Sequence, residues 1–207
     1  MNNNPLRRAW NYIWHGEGIT SLILSIILVF VIVRYVIYPL GGALVGTPFP
    51  VVAVVSGSME HNGMTASQWW NSPCCLDQLC TRNAPQSSIY APYNITLEQI
   101  ETYRFPDGFN KGDIMILTHA NNARIGDTIV FFSTRRSEPI IHRLITIDTD
   151  TQTYRTKGDN NCAIADFEEH IPGQNVVGKA VARIPFLGYI KIFFVEFLSI
   201  LGIGAGI

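Results

Sequence analysis

Three kinds of side chain that can carry out acyl transfer occur in this sequence: a serine beside a glycine, an imidazole in an apolar run, and carboxylates near a turn. The serine segment is Ser56-Gly57-Ser58-Met59, which follows the apolar run 50–55. A nucleophilic serine needs a general base within hydrogen-bond distance and donors for the developing oxyanion. The same segment is typical of a simple turn after a strand, so a base must be found elsewhere in the chain.

His142 is the strongest candidate for that base. It lies in the run 139–145, where strand alternation places it on the same largely apolar face as Ile140 and Leu144. An imidazole in such a place can accept the serine proton near neutral pH. The alternative is an edge strand whose histidine points to solvent. The other candidates for the base are His61, His119 and His170.

A carboxylate must hold the second ring nitrogen of the base, because this fixes the tautomer and stabilises the imidazolium. Asp159, within the segment 157–161, and Asp166, after a short loop, both follow the histidine. The Gly-Asp pairs at 112–113 and 126–127 are typical of turns. By the same pattern, the alternative to a catalytic role for Asp159 is that its pair is only a turn. Both aspartates remain candidates.

Short β-rich runs in the middle of the chain must position these side chains. Many short strands separated by turn residues indicate a mainly β domain, an all-β barrel or sandwich. The predicted strands are 50–56, 113–117, 128–133, 139–147, 153–156 and 175–184.

Residues 61–110 have few strand-like runs, so we predict an insertion packed on the β-core. Outside the membrane, Cys80 would pair with Cys74 or Cys75, while Cys162 stands apart. This spacing is poor for zinc, and we expect no metal site.

Two further motifs lie in the insertion. Thr96 and Gln99 form a capping box that predicts a short helix over 96–103. Asn94 begins an Asn-Ile-Thr glycosylation sequon, a tripeptide that also arises by chance.

An apolar run near the start of the chain predicts a membrane anchor over 19–40, interrupted only by Arg34. Its length of about 33 Å exceeds the bilayer core, and it is longer than the apolar part of a cleaved signal peptide, which is the alternative. Arg7 and Arg8 favour a cytoplasmic segment 1–18. Residues 41–190 would then form an extracytoplasmic domain. We predict an apolar helix over 191–207, either transmembrane or interfacial.

Composition excludes several classes of protein. Charged residues make up 15% of the 207 residues, against about 25% for soluble domains. The net charge of −1 argues against a nucleic-acid partner. Four cysteines in a chain of this length exclude a disulfide miniprotein. The expected partner surface is therefore a lipid bilayer.

The order of these segments resembles type I signal peptidase of the archaeal and endoplasmic-reticulum kind. The resemblance extends over about residues 18–190 without the insertion. The matching segments are Ser56-Gly-Ser-Met59, Lys111-Gly-Asp-Ile114, Gly126-Asp-Thr-Ile-Val-Phe131, Ile141-His-Arg143, Lys157-Gly-Asp-Asn-Asn161 and Arg183-Ile-Pro-Phe-Leu-Gly-Tyr189.

The resemblance implies a membrane-bound serine endopeptidase that removes signal peptides from exported proteins. Ser58 matches the nucleophile, and His142 matches the histidine that replaces the lysine base of bacterial relatives. Asp166 is the closest match to the family's acidic residue, with Asp159 as a second important carboxylate. The oxyanion would be bound by the Ser58 N–H and the Ser56 hydroxyl. Gly57 and Met59 would complete this substrate-binding segment.

The resemblance also implies a signal-peptidase-like β-barrel or sheet at the cell membrane, with its catalytic domain on the extracytoplasmic face and no cofactor. Preproteins would bind as a strand beside 50–56, with small residues at −1 and −3, and a secretion translocon is an expected associate. One alternative is a self-cleaving regulator of the LexA type, which would need a lysine base and a DNA-binding module. Another is a non-catalytic, membrane-anchored partner subunit with the same fold.

Overall fold

The computed structural model describes residues 4–75, 83–136, 138–190 and 192–193. The chain divides into two compact units, Met1–Pro48 and Phe49–Ile207. The apolar helix predicted over 191–207 lies almost entirely outside the described residues.

The first unit contains an apolar helix that could be a transmembrane anchor. Ile19–Val45 form a run of 27 helical residues with a mean hydropathy of 2.5. Within its most apolar 18-residue window, only 6% of the residues are buried. The helix runs beyond the predicted end at residue 40 because the next residue that stops it is Gly46, a left-handed cap with φ 71°. Its parts are α2 (Ile19–Ile32), a π-helical turn (Val33–Ile37) and α3 (Tyr38–Val45), preceded by α1 (Pro5–His15).

The second unit is mainly β, and each of the six predicted runs contains a strand. Seven strands form one sheet in the order β1-β4-β9-β5-β6-β7-β8, with every neighbouring pair antiparallel. A separate hairpin is formed by β2 and β3. The strands are β1 (Val51–Ala53), β2 (Pro73–Cys75), β3 (Asn83–Pro85), β4 (Ile114–Thr118), β5 (Thr128–Phe131), β6 (Ile140–Asp148), β7 (Thr153–Lys157), β8 (Ile171–Pro172) and β9 (Val176–Ile184).

Strand β6 is covered on both of its faces. Residues 141–145 are all buried, so consecutive side chains enter different parts of the core. Leu144 packs in the cluster that contains Phe131, whereas Ile141, from the opposite face, packs in the cluster that contains Met59. Ile145 instead packs in a cluster with Trp69 of the insertion. The insertion therefore forms a second layer on the sheet.

Short helices build this second layer. The capping box predicted for the insertion is confirmed: the Thr96 N–H donates to Gln99 Oε1 at 2.9 Å, and the Gln99 N–H donates to Thr96 Oγ1 at 3.4 Å. The helices are α4 (Ala66–Trp70), α5 (Gln86–Tyr90), a 3₁₀ turn (Ala91–Tyr93) and α6 (Leu97–Thr102), followed after β7 by α7 (Asp166–Glu169) and, after β8, by a 3₁₀ turn (Gly173–Asn175).

A disulfide joins the insertion to the segment after β7. Cys74 is bonded to Cys162, with a Cα–Cα distance of 5.5 Å and a sequence separation of 88. The predicted pairing of Cys74 with Cys80 is therefore wrong, because the fold brings strand β2 beside a distant segment of the chain. The pairing of Cys75 with Cys80 concerns side chains outside the described residues.

We expect that replacing Cys74 by Ala lowers the free energy of unfolding by roughly 2–5 kcal/mol, since the bond closes a long loop. Cys75→Ala is the matched control and should leave the bond to Cys162 intact. Denaturant unfolding of both variants, with and without reductant, measures the difference. Without reductant, a Cys74→Ala variant as stable as wild type would show that the assigned bond does not form.

Candidate active site

The turn that carries Ser58 continues from the edge strand β1. Beyond the strand, the Val54 N–H donates to the Asp113 carbonyl at 2.8 Å, and the Val54 carbonyl accepts the Gly112 N–H at 2.8 Å. The Met59 side chain is fully buried in the core. Ser58 thus lies between the hydrogen-bonded Val54 and the buried Met59, and its own side chain is half-buried.

The hydroxyl of Ser58 lies against the imidazole of His142. The distance from Ser58 Oγ to His142 Nε2 is 2.8 Å, and the histidine is 6% exposed. On its other side, His142 Nδ1 contacts Glu168 Oε1. When Nδ1–H donates to this carboxylate, the lone pair of the neutral ring lies on Nε2 and accepts the serine proton. The sequence predicted the serine and the histidine, and the structure brings them together.

Glu168 is the carboxylate at His142, and sequence reasoning missed it. Its side chain is fully buried. Oε1 also accepts the Thr156 hydroxyl at 3.0 Å, and Oε2 accepts the Ala165 N–H at 3.3 Å. These bonds fix the carboxylate in one orientation toward the ring.

Asp166, one of the two predicted orienting aspartates, lies elsewhere. It begins α7, its side chain is 88% exposed, and its carboxylate is 3.8 Å from the Arg135 guanidinium. Residues two apart in a helix are about 200° apart around the axis, so Asp166 and Glu168 point in opposite directions. The available signal was the short acidic run at 166–169, which does not show which of its members faces His142.

Asp159, the other predicted orienter, pairs with Arg143 instead of His142. Arg143 Nε donates to Asp159 Oδ1 at 2.9 Å and Nη2 donates to Oδ2 at 2.6 Å. Oδ1 also accepts the Tyr90 hydroxyl at 2.9 Å, and Oδ2 lies 3.0 Å from His61 Nε2. Burial opposes ionisation, but the Arg143 charge and hydrogen bonds from His61 and Arg143 hold the pKa of Asp159 far below its usual range.

The remaining donors of Arg143 are bound by main-chain carbonyls. Its two terminal nitrogens donate to Gly126, Phe105 and Arg104 at 3.1, 3.0 and 3.4 Å. Burial alone would favour the neutral form, yet the negative charge of Asp159 raises the pKa of Arg143. The guanidinium therefore stays charged inside the protein and links β6 to two loops.

The segment after β7 also holds the serine turn. The Asn160 N–H donates to the Ser58 carbonyl at 2.8 Å, and Asn160 Nδ2 donates to the Gly57 carbonyl at 3.0 Å. Gly158 allows this approach, because a Cβ there would lie 2.8 Å from His142 Nε2 and 2.9 Å from the Ser58 carbonyl oxygen. The position of the Ser58 turn therefore depends on the position of the segment that contains Asp159.

A cavity of about 320 Å³ opens beside Ser58. The Ser56 hydroxyl is at its wall, with Oγ 3.1 Å from Ser58 Oγ. Of the residues predicted for substrate binding, Gly57 and Met59 are not in the wall, since Gly57 lies behind the turn against Glu60 and the methionine is in the core. The other lining residues include Ala53, Val55, Arg136, Ile140, Asn161 and Phe167.

The other candidate histidines are not at the serine. His61 is buried, stacked on Trp69 at 4.1 Å between ring centroids, and its Nε2 is bound to Asp159. His119 and His170 are exposed. His142 is thus the imidazole that the described residues place against Ser58 Oγ.

We expect Asp159→Asn to lower the free energy of unfolding by about 3–5 kcal/mol, because it leaves Arg143 buried without its counter-ion. Asp166→Asn, an exposed change on the same segment, should shift it by less than about 0.5 kcal/mol. Folding lowers the pKa of Asp159, so its contribution is present above the unfolded pKa of about 3.9 and is lost as pH falls below that value. Denaturant titrations at neutral and acid pH measure both effects, and equal stability of the two variants contradicts this assignment.

Comparison with known proteins gives relatives of one kind, although no protein-family model matches the chain. The signal peptidase complex catalytic subunit SEC11 of Scheffersomyces stipitis is 35% identical over 98 residues, covering 42% of this chain and 58% of that protein. SEC11 of Fusarium vanettenii is 31% identical over 98 residues, covering 42% and 57%. The chain thus spans somewhat more than half the length of these relatives.

The match to SEC11 of Candida tropicalis is longer. It has 32% identity over 114 residues, which cover 47% of this chain and 68% of that protein. The resemblance inferred from the ordered motifs is confirmed: the chain belongs to the family of signal peptidase complex catalytic subunits.

Proposed function

We propose that this protein is a membrane-bound serine endopeptidase that removes signal peptides from exported proteins. The observation that carries the proposal is the continuous line from Ser58 Oγ through His142 to the buried carboxylate of Glu168. This arrangement is that of an activated nucleophile, a base and an orienting acid. The family membership supplies the class of substrate.

In the proposed reaction, Ser58 Oγ attacks the scissile carbonyl carbon while its proton passes to His142 Nε2. Glu168 keeps the ring oriented and stabilises the imidazolium that forms. The tetrahedral intermediate collapses, the C–N bond breaks, and the imidazolium proton passes to the leaving amine. A water molecule, deprotonated by His142, then hydrolyses the ester on Ser58.

The oxyanion would be bound by the Ser58 N–H and the Ser56 hydroxyl. The distance of 3.1 Å between the two serine oxygens puts the Ser56 hydroxyl close enough to donate to the oxyanion, which is carried by the carbon bonded to Ser58 Oγ. Fixed donors at the developing charge lower the barrier because they need no reorganisation during the reaction.

The substrate would bind as an added strand along β1. This strand is at the end of the sheet, and its ladder pairs with β4 on one side. An extended peptide can pair with such an edge and place alternate side chains in pockets. The small cavity beside Ser58, whose lining includes Ala53 and Ile140, suits small side chains such as alanine at −1 and −3.

We place the catalytic unit on the extracytoplasmic face of the cell membrane. The apolar helix Ile19–Val45 could anchor the chain, and a disulfide between Cys74 and Cys162 fits an oxidising compartment. Preproteins delivered by a secretion translocon would then meet the serine while still held in the lipid bilayer.

We expect detergent-purified protein with added lipid to cleave a secretory precursor after a small residue. Ser58→Ala and His142→Ala should each lower kcat by at least about 10⁴-fold with unchanged folding, since the nucleophile and base act as a unit. Mass spectrometry of the two products identifies the cleaved bond. If Ser58→Ala cleaves as fast as wild type, the nucleophile is wrongly assigned. Inactivity of wild type favours the non-catalytic partner subunit.

The identity of the orienting acid has its own test. Glu168→Gln should lower kcat by roughly 10³–10⁴-fold, because an amide favours the wrong tautomer of His142. Asp166→Asn, two residues away and exposed, should retain the wild-type rate. Initial rates with the same precursor measure the difference. The reverse ranking of these two variants would restore Asp166 as the orienting residue.

A further inference from the structure

We propose that the insertion supports the catalytic site through its described residues, 61–75 and 83–110. Tyr90 is a positioning residue that holds the segment 157–161 against Ser58 and His142. The inference rests on the proposed function and goes beyond it, because it assigns a role to a part of the chain that lies outside the matching motifs.

Tyr90 reaches the segment directly from the insertion. It is the last residue of α5 and is fully buried. Its hydroxyl donates to Asp159 Oδ1 at 2.9 Å. Trp69 and Trp70 pack against its ring, each at 5.6 Å between centroids. The hydroxyl is therefore held at the carboxylate by a rigid aromatic cluster.

Lys157 provides a second contact between the insertion and the segment 157–161. Its ammonium donates to Gln86 Oε1 at 3.3 Å and to the carbonyls of Gly158 and Asp159 at 3.0 and 3.2 Å. It also lies 4.6 Å from the centre of the Tyr90 ring, a cation–π distance. Both ends of α5 thus contact the turn that follows β7.

The disulfide provides a third connection by a separate route. Cys162 directly follows the segment 157–161, and its partner Cys74 is in the β2–β3 hairpin of the insertion. The Gln86 side chain, already bound to Lys157, also donates to Cys74 Sγ at 3.4 Å. The insertion therefore holds the segment from both of its ends.

The far side of this segment touches the reacting groups. Asn160 donates to the carbonyls of Gly57 and Ser58, which lie on either side of the serine, and Gly158 packs against His142. Of the segment, only Asn161 lines the cavity that binds substrate. A small shift of the segment would therefore change the distance from Ser58 Oγ to the imidazole more than it changes the shape of the cavity. The expected signature is a loss in kcat with little change in KM.

The experiment compares Tyr90→Phe with Tyr93→Phe in the full chain with detergent and lipid. Phenylalanine keeps the packing of the ring and removes only the donor to Asp159. Tyr93 is a matched control, since it is half-buried in the same insertion and packs against Arg155, away from the serine. Precursor cleavage is measured well below the unfolding temperature of each variant, with folding checked by near-UV circular dichroism.

We expect Tyr90→Phe to lose about tenfold in kcat, because a shifted segment misplaces the nucleophile relative to its base, with KM changed less than about twofold. Tyr93→Phe should match wild type. A wild-type kcat in folded Tyr90→Phe overturns the inference and leaves the proposed function standing, whereas an inactive wild type removes the proposed function itself. If Tyr90→Phe does not fold, Gln86→Met decides: a lower kcat at constant KM supports the inference, and wild-type kinetics overturn it.

Discussion

The buried ion pair between Arg143 and Asp159 is the interaction on which the rest of the site depends. Removing both charges from water costs several kcal/mol per ion unless other groups satisfy them. Here the Asp159 carboxylate is hydrogen-bonded to Tyr90 and His61 as well as to the guanidinium. The other N–H groups of Arg143 donate to main-chain carbonyls of two loops. The pair thereby joins strand β6, the turn after β7 and the insertion. Each of these elements is fixed relative to the others because the charges tolerate no other arrangement.

Two adjacent residues of strand β6 have different roles, one in the reaction and one in the buried ion pair. His142 and Arg143 follow each other, so their side chains leave opposite faces of the strand. The histidine meets Ser58 and Glu168 on one face, and the arginine meets Asp159 on the other. Two buried carboxylates consequently have different partners. Glu168 accepts from neutral donors and the imidazole, whereas Asp159 is bound to a permanent cation. This separation of a reacting ring from a structural ion pair is a physical reason for the order His-Arg in the sequence.

Local patterns were sufficient to predict six strands of the large sheet and the capping box of α6, and the resemblance to a known family added the pairing of Ser58 with His142. These depend on alternation, turn residues and motif order, which a sequence displays directly. Glu168 could not be found in this way, because its place depends on the path of the loop 160–165 and on the pitch of a four-residue helix. The bond between Cys74 and Cys162 depends on packing of the insertion, which spacing does not reveal. The same is true of Tyr90, whose role arises only when α5 meets the turn after β7.

The proposed mechanism requires that Ser58 carries the acyl group during turnover. A signal-sequence peptide thioester ending in alanine tests it directly, since a good leaving group lets the acyl-enzyme accumulate. The full chain in detergent and lipid is mixed with this peptide, quenched in acid and mapped by mass spectrometry. The proposed mechanism predicts a peptidyl ester on Ser58 of the wild type, which forms far more slowly in His142→Ala. A peptidyl group on another residue, or equal thiol release by Ser58→Ala, would contradict it.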